Sequence, residues 1–86
     1  MSFEIEKGAK GLSQMRVSIT DPRTLRPLSR IRITLRGEEE EIVSYLTENG
    51  KVLFDSLPFG RYRIEVQDGP VMLAELFIKI RGNSHG

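Results

Sequence analysis

Side chains that carry out catalysis are few in this chain, and their spacing does not group them. The one histidine, His85, is the penultimate residue, and the chain has no cysteine. A nucleophile needs a base within hydrogen-bond reach, and no such pair can be assembled around a single histidine at the chain end. Without thiolates, neither a disulfide nor a cysteine-based metal site can form. We therefore expect no catalytic residue, no metal ligand and no cofactor.

Acidic residues are the other candidate metal ligands. Asp21, Asp55 and Asp68 each stand in a predicted turn, where an aspartate accepts hydrogen bonds from its own backbone. Residues 38–41 are four consecutive glutamates, whose oxygens suit a hard cation such as calcium. Adjacent residues of an extended chain alternate faces, so we expect these glutamates to solvate a loop, with calcium binding as the alternative.

Arginines are unusually frequent, at nine against four lysines. One predicted strand presents Arg30, Arg32 and Arg36 outward, and the other outward-facing arginines are Arg16, Arg61 and Arg63. Planar guanidinium groups suit carboxylate or phosphate partners. We expect these arginines to pair with glutamates of neighbouring strands, and recognition of an acidic partner through Arg30 and Arg32 is the alternative.

Composition indicates one small domain. The chain has 86 residues, of which 38% are apolar and 29% are charged. Its 13 basic and 12 acidic side chains nearly cancel, so nucleic acid is not an expected partner. No apolar run approaches the roughly 20 residues of a membrane span, and charges interrupt the N-terminus where a signal peptide has its apolar segment. A native start at Met1 implies a cytoplasmic protein, whereas excision from a longer precursor implies a secreted or cell-surface one.

Apolar side chains recur at every second position along most of the chain, which predicts β-strands. Tyr62, Ile64 and Val66, for example, alternate with charged residues. The predicted strands are 3–6, 15–20, 30–36, 42–47, 51–54, 61–66 and 71–80. A helix over 38–46 is the alternative for the fourth of them, but its β-branched and aromatic residues favour a strand.

Turn residues separate these strands. Asn49-Gly50 predicts a hairpin turn with two positive φ values. Pro58 restricts φ and Gly60 can adopt a positive φ, so we expect the chain to reverse there. Further turns are predicted at 21–27 and 67–70. Seven short strands with regular turn signals indicate a sandwich or a barrel.

Three patterned segments follow one another between residues 14 and 81. They are the strand and Pro-containing turn of 15–28, then Ile31-x-Ile33-x-Leu35, then Thr47-x-Asn49-Gly50-x-Val52-x-Phe54-x-x-Leu57-Pro58-x-Gly60-x-Tyr62-x-Ile64-x-Val66. In this order they resemble the carboxypeptidase regulatory-like domains and related transthyretin-like (prealbumin-like) sandwiches, including the B-type repeats of collagen adhesins. The resemblance implies an all-β fold, a seven-stranded Greek-key β-sandwich of the transthyretin type, over 14–81. Residues 1–13 would form an N-terminal strand or arm, and residues 82–86 a disordered tail.

The resemblance does not carry an activity with it, since this fold hosts many unrelated functions. Transthyretin-like hydroxyisourate hydrolases use histidines in the first strand and near a C-terminal Tyr-Arg-Gly-Ser. Here Val17 and Ser18 occupy the first strand of the pattern, and the corresponding end reads Ile80-Arg81-Gly82-Asn83-Ser84. The histidines are absent, so we do not expect hydrolase activity.

The last predicted strand has apolar residues on both faces. Its inward residues are predicted to be Met72, Ala74, Leu76, Ile78 and Ile80. This leaves Leu73 and Phe77 outward, and Val43 and Tyr45 would extend the patch if their strand were adjacent. Either the N-terminal segment with Phe3 and Ile5 covers the patch, or the patch mediates self-association or docking to a partner.

The sequence therefore predicts a non-catalytic protein-interaction or assembly module, with a protein partner or self-association. The candidate interaction residues are Leu73, Phe77, Tyr45, Arg30 and Arg32. A ligand- or carbohydrate-binding domain is the first alternative, although the chain has no tryptophan to serve as a sugar platform. A small hydrolase on the same scaffold is the second.

Overall fold

The computed structural model describes residues 1–8, 11–39 and 41–81, which form seven antiparallel β-strands. The strands are β1 (Ser2–Lys7), β2 (Ser13–Ser18), β3 (Arg32–Gly37), β4 (Ile42–Leu46), β5 (Lys51–Leu57), β6 (Gly60–Asp68) and β7 (Val71–Ile80). Strand β4 confirms the strand interpretation of its segment over the helical one. The part of the chain that the structure describes has no helix capable of crossing a membrane. The predicted tail, 82–86, lies outside the described residues.

The strands form two sheets, which confirms the all-β fold class. One sheet has three strands in the order β1-β2-β5, and the other has four in the order β4-β3-β6-β7. All neighbouring strands are antiparallel. The two sheets share one hydrophobic core, as a β-sandwich does. Its buried side chains are Met15, Val17, Ile19, Ile31, Ile33, Leu35, Val52, Phe54, Leu57, Tyr62, Ile64, Val66 and Ile80.

Alternation along β6 places its apolar residues in this core as predicted. Tyr62, Ile64 and Val66 are all buried. Val66 and Ile64 lie opposite the buried Ile33 and Leu35 of β3, and Tyr62 lies opposite the last residue of that strand. Because side chains on a strand alternate between faces, the charged residues of β3 and β6 must lie on the opposite face of the four-stranded sheet. This opposite face is called the outer face below.

The Asn49-Gly50 turn forms with the predicted conformation, but the predicted hairpin is wrong. The two residues have φ values of 51° and 74°, yet β4 and β5 belong to different sheets. Pairing around the turn is confined to a single bridge between Glu48 and Lys51. The buried Thr47 explains the divergence, because its hydroxyl binds backbone groups of the segment before β3 instead of extending a hairpin. It donates to the Leu28 carbonyl at 2.8 Å and accepts from the Ile31 N–H at 3.0 Å.

The Pro58–Gly60 turn also carries the chain between sheets, from β5 to β6. Gly60 has a φ of 154°, a conformation that favours glycine. The Tyr62 hydroxyl donates a hydrogen bond of 2.6 Å to the Pro58 carbonyl, which ties the turn to the start of β6. The reversal predicted from Pro58 and Gly60 therefore connects two layers of the fold.

Strands β6 and β7 form a true hairpin around Gly69-Pro70, with Asp68 paired to Val71. The register shifts within this hairpin, because Val66 pairs with Ala74 whereas Gln67 pairs with Met72. Leu73 is therefore an extra residue on β7, a β-bulge. The bulge breaks the alternation, so the prediction that Met72 faces the core is wrong: Met72 is 45% exposed.

Candidate functional site

The outer face of the four-stranded sheet collects most of the sequence-predicted interaction residues. Cross-strand register sets them in rows that run across all four strands from β4 to β7. One row is Ile42, Arg36, Arg63 and Phe77, and the next is Ser44, Thr34, Glu65 and Glu75. In the first row the two central strands carry arginines and both edge strands carry an apolar residue, whereas the second row is polar or charged on all four strands.

Glu65 binds the central arginines. Its Oε1 accepts a hydrogen bond from Arg36 Nε at 2.7 Å, and its Oε2 lies 3.5 Å from Arg63 Nε. Glu65 is only 8% exposed, so these two guanidinium groups shield its carboxylate from water. The expected pairing of an outward arginine with Glu65 of a neighbouring strand is confirmed for Arg36, whereas Arg63 lies on the same strand as Glu65. An ion pair with one nearly buried member holds the centre of the face in a fixed arrangement.

The two arginines proposed as candidates occupy different environments. Arg32 lies on the outer face, where its guanidinium donates to the Ser44 hydroxyl at 2.9 Å. Arg30 precedes β3, has a φ of 64°, and is exposed. The prediction that Arg30 shares a strand face with Arg32 and Arg36 is wrong, because β3 begins only at Arg32. Arg16 is on β2, in the three-stranded sheet, where it lies beside Glu4.

A groove runs over the outer face at the end of the sheet where β6 begins and β7 ends. Its volume is about 780 Å³. Its lining side chains include the basic Arg36, Arg61, Arg63 and Lys79, the acidic Glu38, and the apolar Ile42 and Phe77. The groove combines cationic groups with an exposed aromatic ring, a surface able to receive a group that is both anionic and apolar.

Strand β7 exposes the apolar patch expected from the sequence. Phe77 is 74% exposed and Leu73 is 51% exposed. Val71 and Met72 add to the patch, and both are also exposed. We call these four residues the β7 patch. Its members lie on an edge strand, because β7 is the last strand of its sheet.

The N-terminal segment does not cover the β7 patch. Phe3 pairs with Val17 and Ile5 with Met15, so β1 extends the other sheet and places both apolar residues on its inner face, where they remain exposed. Of the two alternatives for the patch, coverage by residues 3–5 is therefore wrong.

Tyr45 does not extend the patch either. It pairs with the buried Ile33, so it lies on the inner face of the sheet, and β4 is at the edge opposite β7. The Tyr45 ring is 5.5 Å from that of Phe54 at an interplanar angle of 44°, a contact between the two sheets. Val43 pairs with Leu35 and lies on the same inner face. Tyr45 is half exposed at the margin of the core.

Asp21 has the structural role expected of a turn residue, but Asp55 lies within β5, so the prediction that it stands in a turn is wrong. The Asp21 carboxylate accepts the backbone N–H of Arg23 at 2.8 Å, and that of Asp55 accepts the N–H of Ser56 at 2.7 Å. Among the glutamates predicted to solvate a loop, Glu38 accepts the backbone N–H of Arg61 at 3.0 Å. The described residues contain no group of three acidic or histidine side chains arranged to hold a metal ion. Residue 40 and His85 lie outside the described residues.

Tyr62 has a perturbed acidity at one end of the groove. Burial raises the pKa of the Tyr62 phenol above its ordinary value, and the negative charges of Glu41 and Glu38 raise this pKa further. The hydroxyl is therefore held protonated, as its hydrogen bond to the Pro58 carbonyl requires. This state makes Tyr62 a structural donor over the whole physiological pH range.

Two features of the outer face and the β7 patch were not predicted from the sequence. Ile42 flanks the groove. Strand alternation alone indicates only that its side chain lies on the other face of β4 from that of Val43, and the cross-strand register aligns it with Arg36 and Phe77. Met72 joins the patch because of the bulge at Leu73, for which the sequence offered no signal.

Comparisons with known proteins identify no relative. No protein-family model, no curated protein and no solved structure matches the chain.

Proposed function

We propose that this chain is a non-catalytic protein-interaction or assembly module and that strand β7 forms its interface. One observation carries the proposal: β7 exposes four large apolar side chains and is also an unpaired edge of its sheet within the described chain. Contiguous exposed apolar side chains mark interaction sites on proteins in water. A free strand edge adds backbone donors and acceptors to the same surface.

The polar residues around the interface support a binding role over a catalytic one. Glu65 is engaged by Arg36 and Arg63, and the Asp21 and Asp55 carboxylates accept hydrogen bonds from nearby backbone N–H groups. These acids are therefore occupied in holding the fold. A catalytic acid or base requires a free group aimed at a substrate.

We also propose the Greek-key topology of the transthyretin-like sandwiches for this fold. Its support is the division into three and four strands, together with connections that cross between the sheets after β2, β4 and β5. The Pro58–Gly60 turn and the Asn49-Gly50 turn, which carry the family resemblance, are two of these crossings.

Replacement of the patch tests the interface. The double variant Leu73→Glu, Phe77→Glu places two charges on β7 outside the core, so we expect it to fold and to lose association. The matched control is Leu25→Glu, Phe59→Glu, since these two side chains are 76% and 68% exposed and lie outside the strands. Association is measured by light scattering and by affinity capture from the native cells. Equal association of the wild type and both variants would contradict the proposed interface.

The groove favours a second candidate function, binding of an anionic ligand such as an acidic oligosaccharide. The favouring observation is that the ring of Phe77 is flanked by Arg63 and lies in the same groove as Arg61 and Lys79. Trigalacturonic acid, which carries carboxylates, and neutral maltotriose serve as the two probes in an NMR titration. Shifts confined to the groove, caused by the acid alone and lost in Arg61→Ala, Lys79→Ala, would support this candidate. Absence of binding by either probe would argue against it.

A further inference from the structure

We infer that the partner of strand β7 is a second copy of this chain, joined by antiparallel β7–β7 pairing centred on Phe77. The inference rests on the proposed function of β7 as the interface and names its partner. It would convert two four-stranded sheets into one continuous sheet of eight strands.

The four edges of the two sheets are not equally suited to pairing. Strand β7 has ten residues and is the longest of the edge strands. Strands β4, β1 and β5 have five, six and seven residues, and every residue of β1 is exposed. Short edge strands offer few backbone groups to an added strand, which is one way proteins prevent edge pairing. A centred pairing of residues 73–81 would form roughly eight to ten backbone hydrogen bonds, because alternate residue pairs exchange two each.

Two charged residues of β7 lack a complementary cross-strand partner within the monomer. Glu75 lies opposite Glu65, and Lys79 lies opposite Arg61. Like charges directly opposite one another destabilise a sheet. The ion pairs of the described residues involve Glu65 with Arg36 and Arg63, and neither Glu75 nor Lys79 takes part in them. The free edge of β7 is therefore where these two charges can find partners.

The spacing of these charges favours one of the registers that are centred on an outer-face residue. In a two-fold antiparallel pair centred on Phe77, each Glu75 lies directly opposite Lys79 of the second copy, and the symmetry makes this pair twice. The two Phe77 rings meet at the axis on the outer face. Shifting the centre to residue 75 would bring the two Glu75 carboxylates together, and shifting it to residue 79 would bring the two Lys79 ammonium groups together. Among the registers centred on an outer-face residue, charge complementarity thus selects the one centred on Phe77.

The inner face supports the same register. Leu76 and Ile78 contact the core but are only partly buried, since no strand lies beyond β7 in the described chain. In the pairing centred on Phe77, Leu76 lies opposite Ile78 of the second copy. Each pair would cover the exposed sides of both residues and extend the core across the two-fold axis, which stabilises association by removing apolar surface from water.

Charge reversal tests the register. Glu75→Lys would create two Lys–Lys pairs and Lys79→Glu two Glu–Glu pairs, so each variant alone should dissociate the dimer with a Kd raised about tenfold or more. An equimolar mixture of the two variants restores both opposite-charge pairs and should form a heterodimer. The double variant Glu75→Lys, Lys79→Glu should associate like the wild type. Sedimentation velocity measures each state, and Glu6→Lys and Lys51→Glu, on the other sheet, are the charge-matched controls.

A cysteine variant provides a second readout that does not depend on charge. The chain has no cysteine, so Phe77→Cys introduces one thiol per copy at the axis. Directly opposite residues of antiparallel strands have Cα atoms roughly 4.5–5.5 Å apart, within the range of a disulfide. Mild oxidation should therefore link two Phe77→Cys chains. Leu73→Cys lies opposite Arg81 and should not form the link.

The outcomes separate this inference from the proposed function. A wild-type chain that stays monomeric at millimolar concentration overturns the self-pairing. If such a monomer captures another protein and Leu73→Glu, Phe77→Glu abolishes the capture, the interaction function stands while the second copy is excluded. The register is also overturned if neither single charge reversal weakens the dimer. Failure of the mixed variants to form a heterodimer overturns it as well.

Discussion

Arg36 and Glu65 form the closest ion pair on the outer face of the four-stranded sheet, with Nε and Oε1 2.7 Å apart. They belong to adjacent strands but not to the same row, since Arg36 lies opposite Arg63 and Glu65 lies opposite Thr34. The contact is therefore diagonal. It allows one carboxylate to neutralise two arginines and keeps two adjacent guanidinium groups from repelling one another across β3 and β6.

Loss of the Glu65 charge should destabilise the sheet. Glu65→Gln keeps the side-chain volume but leaves Arg36 and Arg63 without an anion. Because both guanidinium groups remain partly exposed to water, we expect a loss of about 1–2 kcal/mol in the free energy of unfolding, below the cost of breaking a fully buried pair. Urea denaturation measures it. Glu6→Gln, an exposed change on β1, should alter stability by less than about 0.5 kcal/mol, and equal effects of the two substitutions would contradict the structural role of Glu65.

Removal of the Thr47 hydroxyl should weaken the connection between the sheets. Thr47→Val preserves shape but deprives the Ile31 N–H and the Leu28 carbonyl of the hydroxyl that binds both. Thr47 is 2% exposed, so water cannot readily replace these bonds, and we expect a loss of about 2–3 kcal/mol. Thermal unfolding checks the value. The matched change Thr20→Val, at an exposed position, should be nearly neutral.

The close approach at Gly50 should make any larger residue costly there. A Cβ at Gly50 would lie 2.5 Å from the Ile19 carbonyl oxygen and 2.8 Å from the Pro27 Cβ, and φ is 74°. Gly11 has the same φ, and no described atom lies within 4 Å of its Cβ position. Gly11→Ala should therefore show the conformational cost alone, about 1–2 kcal/mol, whereas Gly50→Ala adds the steric cost. Equal losses of unfolding free energy in the two variants would show that the turn at Gly50 accommodates the added Cβ without a steric cost.

Stability should fall at alkaline pH through Tyr62. Its pKa is raised in the folded state above the ordinary value of 10.0, so the unfolded chain releases the phenolic proton first. The proton stabilises the folded state fully below pH 10, and this contribution is lost as the pH rises through the folded-state pKa. Tyr62→Phe should flatten the stability profile above the ordinary phenol pKa of 10.0.

The same substitution removes the hydrogen bond to Pro58, at an expected cost of about 0.5–1.5 kcal/mol at neutral pH. Absorbance titration in a Tyr45→Phe background isolates the Tyr62 phenol. A Tyr62 pKa at or below the ordinary value of 10.0 would contradict the buried environment beside Glu38 and Glu41.

The strands follow from the sequence because period-two alternation is a local property. Where Tyr62, Ile64 and Val66 alternate with charges, only an extended chain buries one set and solvates the other. The seven predicted strands therefore appear in the structure with shifted ends. Turn residues were also readable, since Asn49-Gly50 adopts the two positive φ values expected of it.

Which strands become neighbours was not readable from local pattern. The Asn49-Gly50 turn predicts a hairpin by itself, but the buried hydroxyl of Thr47 bonds to residues 28 and 31 and sends β5 into the other sheet. Tyr45 and Phe77 are both large and exposed, yet the strand order sets them on opposite edges and opposite faces.

The sequence by itself determined the all-β class, the approximate strands and the apolar residues Leu73 and Phe77 on β7. Only the tertiary structure decided that Arg36 and Arg63 share Glu65, that a bulge turns Met72 outward, and that β7 ends its sheet. The physical reason is range: alternation and turn preference act between residues adjacent in the chain. Register, strand order and ion pairing depend instead on contacts between segments that are distant in sequence.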